Sequence, residues 1–174
     1  MILLLQYTLI FASVLILVAL GGCFAEHSGV INLGLEGIMI MGALGGALTM
    51  RYVPNTAPAI VMLLAVIVVS ALVGMVYSCL LAVASINFKA DQTLVGTALN
   101  LLGTAGATVI VKAINTAANP DDVSSIVQYG GAKSALLVSI GSFEFNWFML
   151  VAFIALVFAY VTLYKTRFGL RLMA

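Results

Sequence analysis

Three long stretches without a charged residue constrain this chain more than any other feature. Asp, Glu, Lys and Arg are absent from residues 1–25, 52–88 and 92–111. A bilayer core about 30 Å thick requires roughly 20 apolar helical residues, so each stretch is long enough to cross it. We predict helices, because hydrocarbon offers no partner for an unpaired backbone N–H or C=O group.

The composition excludes several other classes of protein. The chain has 174 residues, of which 64% are hydrophobic and 7% charged, whereas soluble domains carry about a quarter charged residues. It therefore cannot be a soluble enzyme. The net charge is +1 and no basic cluster occurs, so a nucleic-acid partner is not expected. Residues 1–25 contain no Lys or Arg, which indicates a retained first span rather than a signal peptide.

The predicted fold is all-α, a polytopic membrane helix bundle that forms a single transmembrane domain over residues 1–174. About five transmembrane helices are expected, at residues 3–24, 28–50, 57–86, 92–112 and 146–164. Residues 113–145 would form an extracytoplasmic loop. Within it, the apolar segment 135–140 is too short to cross a bilayer, so we expect either a re-entrant or surface-lying half-helix or an ordinary loop.

The positions of the basic residues predict the orientation of the chain. Lys165, Arg167 and Arg171 follow the fifth span, which places the C-terminal end in the cytoplasm. Alternation through five spans then puts Lys89 inside. The N-terminus and three basic residues would lie outside: Arg51, Lys112 and Lys133.

Polar residues recur along the second predicted span. Ser28, Asn32 and Glu36 are four positions apart, so we expect them to share one helix face. A carboxylate in a span costs several kcal/mol unless it faces protein, water or a partner. Glu36 is therefore either a functional residue or a buried acceptor that holds the second span to its neighbours.

The fourth predicted span repeats this four-residue pattern at Gln92, Gly96, Asn100, Thr104 and Thr108. Two such stripes would line one solute path, and amide groups suit neutral solutes rich in hydroxyl groups or carrying a base. Alternatively, small and polar residues let membrane helices approach and hydrogen-bond each other. The substrate-path candidates are Ser28, Asn32, Glu36, Gln92, Asn100 and Thr104.

Glycines in the second span have two interpretations. Gly42 and Gly46 form a G-x-x-x-G pair, which favours close helix packing. Gly34 and Gly37 flank Glu36 and indicate either packing or a local unwinding, as at the binding sites of transport proteins.

The sequence contains no catalytic or metal-binding pattern. Neither a G-x-S-x-G nor an H-E-x-x-H motif occurs, and His27 is the single histidine. Cys23 and Cys79 lie in apolar stretches, where cysteine acts as a small hydrophobic residue. We predict no catalytic residue, metal or cofactor, and therefore no enzyme.

Three segments carry a family resemblance. They are "GGCFAEHSGVINLGLEGIMIMGAL" (residues 21–44), "KADQTLVGTALNLL" (89–102) and "YKTRFGLRLMA" (164–174). Together they resemble permease subunits of ABC importers for nucleosides and simple sugars, which are related to the ribose and branched-chain amino acid permeases. The resemblance implies a bacterial plasma (inner) membrane protein with four partners: an ATP-binding subunit, a second permease subunit, an extracytoplasmic substrate-binding lipoprotein and the lipid bilayer. ATP would be bound by the partner subunits.

The end of the chain bears on this resemblance. Residues 165–174 would begin a cytoplasmic coupling region, in which Arg167 and Arg171 contact either the ATPase or lipid headgroups. Members of the family continue into a coupling helix and further spans, whereas this chain ends at Ala174, so a C-terminally truncated permease is expected. The alternatives are a non-transporting remnant or assembly partner, and a related importer for branched-chain amino acids or a vitamin.

Overall fold

The computed structural model describes residues 2–29, 31–53, 58–127, 137–140, 143–167 and 169. These residues form α1 (Ile2–His27), α2 (Leu35–Tyr52), α3 (Ala59–Ile86), α4 (Gln92–Ala118) and α5 (Trp147–Lys165), together with the short strands β1 (Leu137–Ile140) and β2 (Phe143–Asn146). The prediction of an all-α bundle with five helices is confirmed.

The chain is a membrane protein by the length and composition of its helices. Three helices in the described part are long and apolar enough to cross a bilayer, namely Leu3–His27, Ile60–Ile86 and Gln92–Ala118, and Met149–Lys165 is a shorter apolar helix. Many large apolar side chains of these helices are exposed. Hydrocarbon is the solvent in which such a surface is stable.

The boundary between the first two helices differs from the prediction. The second span was expected at residues 28–50, but α1 continues to His27 and α2 begins only at Leu35. Gly29 has a φ of +76°, a left-handed conformation that ends α1. The Gly29 N–H donates to the Glu26 carbonyl at 3.0 Å and closes the last turn. Residues 28, 29 and 31–34 consequently precede α2 instead of belonging to it.

The segment between α4 and α5 also differs. The fourth span was expected to end at residue 112, but α4 extends to Ala118, because Val111 and Asn115 continue its buried face. The half-helix alternative for residues 135–140 is wrong where the structure describes them. Leu137–Ile140 is a strand that pairs antiparallel with Phe143–Asn146, whose alternating sequence FEFN suits a strand; residues 135 and 136 lie outside the described residues.

One compact unit comprises Met1–Asn32 and Lys133–Ala174, and in it α1 packs against α5. The rings of His27 and Tyr164 meet edge to face with centroids 6.3 Å apart. The C-terminal ends of α1 and α5 therefore lie together, and the two helices run in the same direction.

The other compact unit, Leu33–Ala132, holds α2, α3 and α4. Gly37 of α2 lies beside Asn100 of α4, and Arg51 lies beside Asn115, so these two helices are parallel. Tyr77 of α3 donates its hydroxyl to the Leu99 carbonyl at 2.6 Å.

Helix α3 runs in the opposite direction to α2. Gly74, late in α3, lies next to Ile38 at the start of α2, whereas Val66, early in α3, lies next to Gly46. The directions within each unit agree with the predicted alternation of spans. The orientation of the chain across the membrane stays a prediction.

Candidate functional site

The start of α2 is held by a side chain from α4. The first N–H groups of a helix have no partner within it, and Gly34 at the N-cap of α2 provides no side-chain hydrogen bond. The Gly37 N–H donates to Asn100 Oδ1 at 2.7 Å, and Asn100 Nδ2 donates to the Leu33 carbonyl at 2.8 Å. Asn100 therefore caps α2 from a neighbouring helix.

This cap lies within the length of α4. Asn100 is the ninth residue of α4, about 12 Å from its first residue at 1.5 Å per residue. Helix α2 thus begins beside the interior of α4, a helix that is long and apolar enough to cross a bilayer. Backbone outside regular structure is tolerated at such depth only where protein or water covers it, and the two hydrogen bonds of Asn100 supply part of that cover.

Glycines allow the backbones of α2 and α4 to touch. A Cβ atom on Gly103 would lie 2.9 Å from Gly37 Cα, and one on Gly96 would lie 2.9 Å from Gly34 N. Both distances are shorter than real Cβ contacts. Gly96 and Asn100, which the sequence analysis placed on a polar stripe, therefore lie where α4 contacts α2. This is the arrangement expected if the stripe serves helix packing.

The remaining stripe residues of this unit lie at its surface. Thr104 and Thr108 are exposed, and each donates its hydroxyl to a carbonyl of α4, Thr104 to Asn100 at 2.9 Å and Thr108 to Thr104 at 2.8 Å. Gln92 is half-buried at the first position of α4, and Glu36 is exposed in the first turn of α2. Their place on a substrate path stays a prediction.

The expected stripe of Ser28, Asn32 and Glu36 on one helix face is wrong. Ser28 and Asn32 lie in the segment before α2, and only Glu36 belongs to that helix. The Ser28 hydroxyl donates to the Ala25 carbonyl at 2.6 Å, so it completes the end of α1. The break at Gly29 is the physical reason.

The glycines later in α2 face α3. A Cβ atom on Gly46 would lie 2.5 Å from Ser70 Oγ, and one on Gly42 would lie 3.3 Å from the Ser70 carbonyl oxygen. Gly45, which the sequence analysis did not select, approaches Val73 in the same way, at 2.8 Å. This close approach is what the packing interpretation of Gly42 and Gly46 requires.

A second polar centre joins the C-terminal ends of α2 and α4. Arg51 donates an N–H to Asn115 Oδ1 at 2.5 Å, and Asn115 Nδ2 donates to the carbonyls of Ser124 at 3.0 Å and Ile126 at 2.9 Å. Asn115 is 2% exposed. Its side chain therefore ties together both helices and the segment that follows α4.

Sequence reasoning missed Asn115, although a signal was present. Gly103, Ala107, Val111 and Asn115 are four residues apart and form one buried face of α4. Following that face beyond residue 112 leads to a polar side chain at its end. Arg51 was used only to assign orientation.

A cavity of about 430 Å³ opens at this centre, and we name it the Arg51 cavity. The described residues that line it are Arg51, Asn115, Ala118, Asn119, Asp121 and Asp122. The hydroxyl and the backbone N–H of Ser124 hydrogen-bond the Asp122 carboxylate and lower its pKa, with a smaller contribution from the charge of Arg51. The cavity thus combines one guanidinium group, two amides and two carboxylates.

The lowered pKa of Asp122 predicts a local pH dependence. The ionised carboxylate accepts the Ser124 N–H at 3.0 Å. The stability that this hydrogen bond contributes is therefore complete above the ordinary aspartate pKa of 3.8, and it is lost as pH falls through the lowered pKa of Asp122 in the folded protein. We expect the Ser124 amide to lose protection from hydrogen exchange only below pH 3.8. In Asp122→Asn, protection that stays as high and shows the same acid loss would contradict this assignment.

The described part of the chain contains no group of three or more His, Cys, Asp or Glu side chains that could hold a metal ion. Arg167, a residue expected at the coupling region, is exposed just after α5. Arg171 lies outside the described residues.

Comparisons with known proteins identify relatives along almost the whole chain. The family described as "Branched-chain amino acid transport system / permease component" matches residues 4–174. The guanosine ABC transporter permease protein NupQ of Bacillus subtilis is 36% identical over 95% of this chain and 53% of that protein. The nucleoside ABC transporter permease protein NupC of Lactococcus lactis is 32% identical over 94% of this chain and 52% of its own length.

A further relative matches a shorter part of the chain. The putative glucose ABC transporter permease protein TsgC13 of Haloferax volcanii is 37% identical over 58% of this chain and 29% of that protein. The chain spans about half the length of the two nucleoside relatives. No solved structure shows a significant match.

Proposed function

We propose that this chain, which belongs to the family of branched-chain amino acid transport system permease components, forms part of the membrane path of an ABC importer for nucleosides. The observation that carries this proposal is 36% identity with a guanosine permease over 95% of the chain. The chain would supply transport rather than catalysis.

The proposed assembly has four further components. An ATP-binding subunit would bind ATP and drive the cycle, a second permease subunit would complete the path, and an extracytoplasmic lipoprotein would deliver the solute. The lipid bilayer of a bacterial plasma membrane would surround the helices. Residues 165–174, with Arg167 and Arg171, would lie at the cytoplasmic side and contact the ATPase or lipid headgroups, and the segment after α4 would face outwards.

We assign two roles to the predicted path residues of α2 and α4. The amide oxygen of Asn100 accepts from the backbone of α2 and its nitrogen donates to the Leu33 carbonyl just before that helix, so we assign Asn100 to holding the start of α2 in place. Glu36 and Thr104 are exposed, and Gln92 is partly so. These three remain available to face a solute or a second subunit, and we propose them for the path.

Simple sugars are the second candidate solute, because the glucose permease relative matches 58% of this chain at 37% identity. Branched-chain amino acids are supported by the description of the family alone. The two nucleoside relatives match 95% and 94% of the chain, whereas the glucose relative matches 58% of it. We therefore place nucleosides first.

Uptake of radiolabelled guanosine by cells of the source organism tests the proposal. Deletion of the gene is expected to abolish the saturable, ATP-dependent uptake, and a plasmid copy of the gene is expected to restore it. Unlabelled guanosine should compete and unlabelled glucose should not. Unchanged guanosine uptake after deletion would contradict the nucleoside assignment, and competition by glucose alone would favour sugars.

Substitution of Glu36 tests its place on the path. In the restored strain, Glu36→Gln should lower guanosine uptake by about tenfold, which corresponds to one hydrogen bond to a charged group. Glu26→Gln is the matched control, since Glu26 is an exposed acid in the last turn of α1. Equal uptake by the two variants at equal expression would remove Glu36 from the path.

A further inference from the structure

The Arg51 cavity contains two carboxylates, those of Asp121 and Asp122, that take no part in the contact between α2 and α4. We propose that it is a binding subsite for adjacent hydroxyl groups on a sugar ring, with Arg51, Asp121 and Asp122 as its ligand-binding residues. The source of the ring, a nucleoside or a free monosaccharide, rests on the proposed function. The shared chemistry is a pair of neighbouring hydroxyl groups.

The donors and acceptors of the cavity match such a pair. A guanidinium group has five N–H donors, and Arg51 uses one of them on Asn115. Asp121 and Asp122 carry carboxylates that only accept hydrogen bonds when ionised. Each hydroxyl of a sugar both donates and accepts, so two neighbouring hydroxyls can accept from Arg51 and donate to a carboxylate at the same time.

The Asp122 carboxylate can accept a further hydrogen bond from a ligand. Its interaction with Arg51 is an attraction between charges, whereas its hydrogen bonds come from Ser124. A carboxylate group has about four lone-pair positions, so acceptor capacity remains after the bonds from Ser124. Asp121 is exposed, and its own N–H donates to Asn119 Oδ1 at 3.4 Å, which places both acidic residues in one short turn.

Asn115 acts as a positioning residue for Arg51. It is 2% exposed, its Oδ1 accepts from the guanidinium group, and its Nδ2 is directed to the carbonyls of Ser124 and Ile126. The amide is thus fixed on both sides. It holds the Arg51 side chain at the wall of the cavity instead of leaving it free in solvent.

The lining disfavours other classes of small molecule. Among the described lining residues, Ala118 alone has an apolar side chain, so this part of the lining offers little apolar surface to the aliphatic part of a branched-chain amino acid. Two carboxylates against one guanidinium group leave a net negative charge, which disfavours an anion. A volume of about 430 Å³ accommodates a monosaccharide or the ribose part of a nucleoside.

A ligand series on the unchanged protein tests the proposal without any risk of misfolding. The full chain is placed in lipid nanodiscs, and saturation-transfer NMR measures binding of guanosine, ribose, 2′,3′-dideoxyguanosine and leucine. Guanosine and ribose should bind, and removal of both hydroxyls should weaken binding by at least about tenfold. Equal binding of guanosine and its dideoxy analogue, or tighter binding of leucine, would overturn the proposal.

Two matched variants test the residues. Asp121→Asn should weaken the binding of both guanosine and ribose by about tenfold. Asp91→Asn changes the net charge equally at the opposite end of α4, where the Asp91 side chain caps the helix by accepting the Thr93 N–H; asparagine caps as well as aspartate. Binding should be unchanged in Asp91→Asn. The same loss in both variants, or in neither, would overturn the assignment.

The result separates this inference from the proposed function. If cells import guanosine but the chain binds it without regard to the hydroxyls, the subsite is wrong and the importer stands. If the chain binds ribose and guanosine through the Arg51 cavity but deletion of the gene leaves the uptake of both solutes intact, the subsite stands and the importer is wrong.

Discussion

Asn100→Ala is expected to lower the free energy of unfolding by about 1–3 kcal/mol, because two backbone groups each lose a partner and one of them, which is buried, then incurs a desolvation cost of roughly that size. The groups are the Gly37 N–H and the Leu33 carbonyl. Gly37 is buried in the first turn of α2, whereas Leu33 is exposed just before that helix, so the larger part of the loss comes from the Gly37 N–H. Thermal unfolding of the purified protein in detergent, followed by circular dichroism, measures the change.

Two control variants make this test specific. Thr104→Ala removes an exposed hydroxyl that bonds a carbonyl of its own helix, so its effect should stay within about 0.5 kcal/mol. Asn100→Leu keeps a branched side chain of similar shape but loses both hydrogen bonds, so it should be destabilised as Asn100→Ala is. An Asn100→Ala variant as stable as Thr104→Ala would contradict the capping role.

Hydrophobic length predicted most of the fold because the physical requirement is local. An uncharged stretch in hydrocarbon must bond its own backbone, so residues 52–88 and 92–111 predict α3 and α4 without knowledge of their neighbours. The end of α4 at Ala118 could not be predicted in this way. It depends on Asn115, whose partners lie on α2 and in the following segment.

The start of α2 was not predictable from pattern alone. The four-residue spacing of Ser28, Asn32 and Glu36 is compatible with one helix face, but the spacing itself does not show that the chain is helical there. Ser28 and Asn32 in fact precede α2. Gly29 ends α1, and the start of α2 is fixed by an acceptor on Asn100, 63 residues beyond Gly37. Such a tertiary cap leaves no signal near the helix that it begins.

Only part of the candidate site could be predicted, because residue spacing does not show what packs against a helix face. A spacing of four residues correctly grouped Gly96 with Asn100, but periodicity shows which residues share a face and does not show what lies against that face. The structure places the backbone of α2 there. The exposed Thr104 and Thr108, which continue the same spacing, are not engaged by α2 in any hydrogen bond of the described residues.

Helix α4 holds α2 near both ends through an asparagine. Asn100 bonds the first turn of α2, and Asn115 bonds Arg51 in its last turn. Beside the first of these points Gly103 brings the two backbones into contact, and farther along Leu44 packs with Ala107 and Val111. We infer that α2 and α4 move as one body in any conformational change of the proposed importer, so that a substitution at either asparagine would uncouple them.

Gly103→Ala is expected to destabilise the protein by about 1–3 kcal/mol, the usual effect of forcing an extra methyl group into a packed contact. The new Cβ atom would lie 2.9 Å from Gly37 Cα and 3.0 Å from the Gly37 carbonyl oxygen. Backbone atoms cannot rotate away as a flexible side chain can, so α2 and α4 must separate. Thermal unfolding in detergent again measures the effect.

Gly106→Ala on the same helix is the matched control and should have the opposite sign. A Cβ atom on Gly106 would meet nothing within 4 Å, and replacing a helical glycine by alanine stabilises a helix by up to about 1 kcal/mol. Both variants make the same chemical change three residues apart. They therefore separate helix propensity from contact with α2, and equal effects in the two variants would show that the backbones of α2 and α4 do not touch at Gly103.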